Sequence, residues 1–223
     1  RLAPKLKRIF GKDNVILLGD GLYSCGPVIK ICKSYNWDFM LVLKEDGSKE
    51  LWKEATGLMR LEPADSLAMN WGERIQVYQW ANDIEYEFGT KTREHVEVNV
   101  VICNESWKEN HSKSSGQIEE FHTRYAWISS KKLTSKNVFQ RCTKIGRYRW
   151  KIENNFLIEK HQGYNFEHCY SYNWQAMKGF HYLMKIGHFV NSLLIHSEII
   201  SDYVDESGIQ GFIKRLFEAL TGS

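Results

Sequence analysis

The fold is decided by residues 15–43, VILLGDGLYSCGPVIKICKSYNWDFMLVL. Two apolar runs, Val15–Leu18 and Trp37–Leu43, flank a segment, Pro27–Tyr35, that has a helical pattern with a proline near its start. A strand–helix–strand connection predicts that the two strands are parallel. Asp20 then follows the carboxyl end of the first strand, where the functional groups of open α/β sheets gather. An Asp-Gly pair is also a hairpin signal, but the helical character of the next segment disfavours a hairpin.

The middle of the chain is predicted to be rich in β-strands. After a helix at Lys49–Leu61, alternating and β-branched residues predict four strands, at Ile75–Trp80, Ile84–Phe88, His95–Cys103 and Tyr125–Ser129. The polar stretch Asn104–Glu120, which contains Ser-Lys-Ser-Ser-Gly, predicts a long loop. We therefore predict a β-rich insertion over residues 46–124, a core formed by residues 1–45 and 125–200, and a C-terminal helix within residues 201–223.

The C-terminal part is predicted to be helical from Ser135 onwards. Its apolar residues recur at intervals of seven, seven and four, which places them on one helix stripe: Val138, Ile145, Ile152 and Phe156. Two further helices are predicted, at 174–200 and at 209–220.

Two cations and one carboxylate share a narrow strip beside this stripe. At about 100° per residue, Arg149 lies about 40° and Lys160 about 20° from Glu153 on a helical wheel. The three charges therefore lie at the rim of the predicted buried face, where the mouth of a site would be. The alternative from the residues alone is a surface ion pair of Arg149 and Glu153, which is worth only ~0.3–0.5 kcal/mol.

Composition excludes several classes of protein. The chain has 223 residues, of which 43% are hydrophobic and 26% charged, so it is neither collagen-like, nor wholly disordered, nor a coiled coil alone. No run approaches the roughly 18 apolar residues of a membrane helix, so we expect no membrane partner. Five cysteines without a CxxC pair favour a reduced intracellular compartment over a disulfide scaffold or a zinc ribbon.

The net charge of +3 hides an uneven distribution. Residues 1–33 and 136–190 carry net charges of +5 and +6, while residues 34–135 carry −5. If the two basic segments meet in space, they form a positive surface that suits phosphate groups. The alternative is that these lysines and arginines are ordinary surface residues that never meet.

The segment Arg149-Trp150-Lys151-Ile152-Glu153, with Lys160 seven residues after the glutamate, resembles a known signature. It is the Tyr-Arg-Glu-Lys signature of insertion-sequence transposases with a DDE active site. The order of elements is also similar: a strand ending in Asp, a helix, a strand, a β-rich insertion and a helix that carries Glu. The motifs cover Leu17–Tyr23 and about Arg147–His168, and the architecture covers most of the chain.

This resemblance implies a fold, a metal site and a partner. The fold is an α/β, ribonuclease H-like core that is partial and lacks its first strands, with a β-rich insertion before the last catalytic helix and C-terminal helices after it. Asp20 and Glu153 match the second and third acidic residues, which bind Mg²⁺ or Mn²⁺. Arg149 and Lys160 match the basic residues, which would bind DNA phosphates.

The implied function is that of a DNA transposase, which nicks DNA at the ends of an insertion sequence and joins those ends to a target. Two hard cations can activate the attacking oxygen and stabilise the leaving one. The resemblance further implies a homodimer on DNA and a cytoplasmic, nucleoid-associated location in a prokaryotic cell.

Two positions depart from the signature. Gly146 stands where the signature has tyrosine, and Tyr148 is out of register. The first catalytic Asp has no match, because residues 1–14 contain only Asp13, in a predicted loop. We therefore expect this chain to be a C-terminal part that is inactive by itself, with the missing Asp upstream. The alternatives are a catalytically inactive transposase remnant that only binds DNA, and a ribonuclease H-like nuclease.

Overall fold

The computed structural model describes residues 2–11, 14–90, 92–110, 118–161, 163–198 and 201–222. The chain divides into two compact units, residues 1–149 and residues 150–223. We call them the sheet unit and the helical unit. The predicted boundaries at residues 45, 124 and 200 stay predictions.

The sheet unit is built on one mixed sheet of six strands in the order β1-β2-β6-β5-β4-β3. β1 and β2 are parallel, and the other neighbouring strands are antiparallel. The elements are α1 Ala3–Phe10, β1 Ile16–Gly19, α2 Gly26–Ser34, β2 Asp38–Val42, α3 Lys49–Leu61, β3 Ser66–Trp71, β4 Arg74–Phe88, β5 Glu94–Asn110 and β6 Ile118–Ser129.

Both faces of this sheet carry an apolar core, because successive side chains of a strand point to opposite faces. Val98, Val100 and Ile102 of β5 pack in the same cluster as buried residues of α2 and α3. Val101 and Cys103 pack in a second cluster, which includes residues of the segment that follows β6: Leu133, Val138 and Cys142.

The predicted strand–helix–strand unit is confirmed. β1 lies parallel to β2, with Ile16 opposite Asp38 and Gly19 opposite Leu41, and α2 connects the two strands. Pro27 lies in the first turn of α2, as the sequence predicted. The sheet and its helices confirm the α/β class.

The long loop predicted at Asn104–Glu120 is wrong at both ends. β5 continues to Asn110 and β6 begins at Ile118, while residues 111–117, which include the Ser-Lys-Ser-Ser-Gly sequence, lie outside the described residues. The strands are polar here, yet Trp107 lies opposite Phe121 and stacks on it with ring centroids 5.6 Å apart. Cross-strand aromatic pairs of this kind stabilise a sheet even where the alternation of apolar residues is weak.

The helix predicted from Ser135 begins later than predicted, after a turn at residues 135–137, and its single apolar stripe is wrong. A π-helix at Gln140–Ile145 and a 3₁₀ segment at Gly146–Arg149 precede the regular helix α4, Trp150–His161. A π-turn holds more residues than an α-turn, so the seven-residue spacing no longer returns to one face. Val138 is therefore fully buried, while Ile152 and Phe156 are 53% and 42% exposed.

The helical unit consists of α4 and two longer helices, α5 Trp174–Ile195 and α6 Ser201–Thr221. α6 begins eight residues before the predicted helix at 209–220, and it contains a kink at Gly208, which has a positive φ of 69°. Asn173 caps α5 by accepting hydrogen bonds from the backbone N–H groups of Gln175 and Ala176. Within the described ranges, no helix is long and apolar enough to cross a membrane.

Candidate functional site

Asp20 lies at the end of β1 that the sequence predicted. It is half-buried, and its side chain accepts a hydrogen bond of 2.6 Å from the backbone N–H of Gly21, which caps a 3₁₀ turn at Gly21–Tyr23. This turn leads into α2, so the Asp-Gly pair does not form a hairpin. The glycine before Asp20 is needed for packing, because a Cβ at Gly19 would lie 2.6 Å from Leu41 Cδ2.

A lysine side chain runs beside the same turn. A Cβ built at Gly21 would lie 3.0 Å from Cγ and Cδ of Lys44, whose side chain comes from the loop after β2. Lys44 is exposed. Asp20 and Lys44 thus place a carboxylate and a cation at the carboxyl ends of the two parallel strands, which is where ligands bind in open α/β sheets.

Glu153 and Lys160 lie on α4, in its first and last turns, and both are exposed. The six residues between them are regular α-helix, so the two side chains share one strip as predicted. Arg149 is the last residue of the 3₁₀ segment and is half-buried. Its predicted angle to Glu153 assumed a continuous α-helix from Arg149 onwards, and that angle stays a prediction.

Lys160 has an internal partner. Its ammonium pairs with the carboxylate of Glu167, and this contact holds the pKa of Glu167 below the ordinary value. The side chain of Lys160 is 35% exposed and that of Glu167 is 67% exposed, so the pair is accessible to solvent. Exposed pairs of this kind are weak, so Lys160 can release Glu167 at little cost.

The two predicted metal ligands belong to different units. Asp20 lies in the sheet unit and Glu153 in the helical unit. Their carboxylate oxygens are the donors that Mg²⁺ and Mn²⁺ prefer, so the residue types fit the predicted metal. Among the described residues, no group of three or more His, Cys, Asp or Glu side chains is arranged to hold a metal ion. Asp13 lies outside the described residues. A shared metal site stays a prediction.

The structure gives a physical reason for the glycine at the tyrosine position of the signature. A Cβ at Gly146 would lie 3.0 Å from Nε1 and 3.1 Å from Cε2 of Trp127, which is itself buried. A tyrosine side chain does not fit there without displacing the indole. Tyr148, which is out of register, is 53% exposed.

Sequence analysis missed a buried ion pair between the two segments that it distinguished by charge. Arg141 donates to both carboxylate oxygens of Asp38, at 2.8 and 2.9 Å, and also to Ser129 Oγ. Burial alone would raise the pKa of Asp38, but Arg141 and Lys131 outweigh it and hold that pKa below the ordinary value. An acidic residue at the start of an apolar strand was the available signal for such a pair.

A second buried carboxylate, Glu105 on β5, has a similar environment. Its side chain accepts hydrogen bonds from Arg74 at 2.5 Å and Gln76 at 2.6 Å, and from Arg147. Burial would raise the pKa of Glu105, but these contacts lower it. Arg147 is further held between two rings, 4.7 Å from the centroid of Trp71 and 4.4 Å from that of Tyr125.

These pairs change the interpretation of the basic segments. Arg141 and Arg147 belong to the basic segment 136–190, and both are used inside the sheet unit to neutralise carboxylates of the acidic middle. Lys30 of the first basic segment pairs with Glu94 in the same way at the surface. The positive surface predicted for phosphate therefore has fewer available cations than the sequence suggests.

The cysteines take no part in these clusters as thiolates. All five are free, and burial raises the pKa of Cys32 to about 11 and that of Cys103 to about 12. Both thiols are therefore protonated near neutral pH.

A third buried carboxylate, Glu159 on α4, was also missed. It accepts hydrogen bonds from Lys185 and His188 of α5.

No protein-family model matches the chain, and no curated protein matches it at a significant level.

Proposed function

We propose that this chain is part of a DNA transposase of the DDE type, with a ribonuclease H-like core and a β-rich insertion. One observation carries the proposal: Arg149, Glu153 and Lys160 have the signature spacing, and they follow Asp20 at the end of a parallel strand. The exposed positions of Glu153 and Lys160 on one strip of α4 support it, because both side chains can be reached by DNA.

Each residue has a role in this proposal. Asp20 and Glu153 would hold the Mg²⁺ or Mn²⁺ ions, which would supply Lewis-acid activation of the attacking water or 3′-hydroxyl and charge stabilisation of the leaving oxygen. Arg149 binds a phosphate with its planar guanidinium, and Lys160 does so as a point charge after releasing Glu167. The chemistry is hydrolysis of a phosphodiester at the element end, which frees a 3′-hydroxyl. That hydroxyl then attacks a phosphorus of target DNA, the target's P–O3′ bond breaks, and the leaving oxygen becomes a 3′-hydroxyl of the target strand.

The test is cleavage and joining of DNA by the full-length protein. The substrate is a plasmid that carries the gene with its flanking genomic sequence, because those flanks contain the ends of an insertion sequence. We expect Glu153→Gln and Asp20→Asn to abolish cleavage and joining in Mg²⁺ while DNA binding persists. Asn keeps the acceptor that caps the turn at Gly21, so the Asp20 variant tests the charge and not the turn.

Glu50→Gln is the matched control, because Glu50 is an exposed glutamate in the first turn of α3 as Glu153 is in α4. It should leave cleavage unchanged. Cleavage retained by Glu153→Gln would refute the assignment. Hydrolysis without joining in the parent protein would indicate a ribonuclease H-like nuclease instead.

A second candidate is an inactive transposase remnant that binds DNA without cutting it. The packing of Gly146 on Trp127 favours it, since the signature tyrosine cannot occupy this position. This candidate predicts DNA binding that weakens steeply with salt and is unaffected by Mg²⁺ or by Glu153→Gln.

A further inference from the structure

A buried carboxylate, and not a stripe of apolar side chains, attaches α4 to the rest of the helical unit. Ile152, Phe156 and Leu157 are between 42% and 53% exposed, while Glu159 is only 2% exposed. A charged group is rarely buried unless it is paired, so its partners decide how this helix packs.

The partners of Glu159 are two residues of α5, one helical turn apart. Lys185 Nζ donates to Oε2 at 2.5 Å, and His188 Nδ1 lies 2.7 Å from Oε1. Burial would raise the pKa of Glu159, but the hydrogen bonds and charges of these two residues outweigh it and lower that pKa. The carboxylate is therefore ionised and only accepts, so Nδ1 of His188 carries the proton.

Aromatic rings hold both partners in place. The ring of Tyr164 lies 4.9 Å from that of His188, and its hydroxyl accepts a hydrogen bond of 3.0 Å from Asn191. Lys185 Nζ lies 5.1 Å and 5.3 Å from the ring centroids of Phe156 and Phe166. Both carboxylate oxygens of Glu159 thus bind residues of α5. These two contacts fix the rotation of α4 about its own axis.

That rotation determines where the signature residues point. On a regular helix, Glu159 lies about 120° from Glu153 and about 100° from Lys160, while Glu153 and Lys160 lie only about 20° apart. When Glu159 faces α5, the other two side chains point to solvent, as is observed. Ile152 and Leu157 give no comparable constraint, because both are more than half exposed.

We infer that Glu159, Lys185 and His188 are positioning residues, which set the orientation of Glu153 and Lys160 toward metal and DNA without touching either. This inference rests on the proposed function for the part that concerns DNA. The anchoring of α4 itself is independent of that function and can be measured separately.

The experiment uses three substitutions on α5 in the full-length protein. His188→Leu removes the donor to Glu159, and His188→Gln replaces it with an amide donor. His181→Leu is the matched control, because His181 lies two turns earlier on α5 and packs on Phe166 and Phe180 without contacting Glu159.

Two readouts are compared. Hydrogen exchange of the α4 amides should become about 10- to 100-fold faster in His188→Leu, because a hydrogen bond to a charged group is lost. The cleavage rate at saturating DNA should fall about as much. His188→Gln should recover most of both, and His181→Leu should match the parent.

Each other outcome has a distinct meaning. Unchanged exchange of α4 in His188→Leu overturns the anchor. Faster exchange with an unchanged cleavage rate, while Glu153→Gln is inactive, overturns the positioning role and leaves the proposed function intact. Cleavage that survives Glu153→Gln overturns the proposed function, and the positioning role falls with it.

Discussion

The sheet unit and the helical unit are stabilised in different ways. In the sheet unit, large side chains are fully buried on both sides of a continuous sheet, for example Phe39 and Ile128 in one cluster and Tyr78 and Val101 in the other. In the helical unit, the buried side chains include Glu159 with its ion pairs, and long apolar residues of α5 such as Phe189 and Leu193 are more than half exposed. The sheet unit therefore depends on burial of apolar area, and the helical unit depends much more on a few polar contacts.

The largest expected effect distinguishes these two kinds of core. Phe39→Ala leaves a cavity in a packed sheet core and should lower the free energy of unfolding of the sheet unit by about 3–5 kcal/mol. Phe212→Ala, at a site that is 6% exposed on α6, should lower that of the helical unit by only about 1.5–3 kcal/mol, because its looser surroundings can collapse. Hydrogen exchange resolved by peptide under increasing urea measures each unit. Equal losses would contradict the comparison.

A change of similar size should follow from breaking the buried ion pair of the sheet unit. Asp38→Ala leaves Arg141, whose side chain is 6% exposed, without its carboxylate, and we expect a loss of about 3–5 kcal/mol. Lys30→Ala breaks the exposed pair with Glu94 and should change stability by less than about 1 kcal/mol. Urea denaturation of both variants is the measurement, and a small effect of Asp38→Ala would show that the pair is not a major determinant of stability.

A smaller effect is expected at two glycines of the sheet unit. Alanine is a better helix former than glycine by about 1 kcal/mol, so Gly57→Ala in α3, where a Cβ meets nothing within 4 Å, should stabilise the protein. Gly146→Ala forces a Cβ against Trp127 and should instead destabilise it by about 1–2 kcal/mol net. Thermal unfolding of the two variants tests whether their changes in stability have opposite signs. Stabilisation by Gly146→Ala would show that Trp127 can move.

The same contrast explains what the sequence could predict. The strands around Asp20 were predictable because apolar runs and a helix signal occur in 15–43 with little polar interruption. The hairpin of β5 and β6 beyond Cys103 was missed because its polar residues occupy both faces. The prediction of an apolar stripe through Ile152 and Phe156 was wrong because a π-helix changes the number of residues per turn. No residue pattern indicated that change.

The residues of α4 show how much of the candidate site could be predicted from the sequence. The spacing of Glu153 and Lys160 correctly predicted that the two side chains share one strip, since this depends only on helix geometry. The buried face predicted beside that strip is wrong, because Ile152 and Phe156 are 53% and 42% exposed. The burial of Glu159 between them was not predictable, because its partners Lys185 and His188 lie 26 and 29 residues away. An ion pair between residues so far apart in the chain produces no local sequence pattern.

The last prediction concerns the stability of the two units at low pH. Asp38 and Glu105 in the sheet unit and Glu159 in the helical unit all have a pKa below the ordinary values of 3.8 and 4.5. Their unfolded forms therefore bind protons first as the pH falls. The stability that these groups contribute is present above about pH 4.5 and is lost as the pH falls through the lower native pKa values.

The helical unit has a second carboxylate with a lowered pKa, Glu167, but its pair with Lys160 is exposed and contributes little to stability. Two buried carboxylates in the sheet unit against one in the helical unit therefore predict a steeper loss of stability for the sheet unit as the pH falls below about 4.5. Urea midpoints of each unit, measured by hydrogen exchange at several pH values, give the two slopes. Glu105→Gln keeps the acceptor for Arg74 and removes the titrating group, so it should flatten the slope of the sheet unit and leave that of the helical unit unchanged. Equal slopes in the parent protein would mean that other carboxylates control the response of both units to acid.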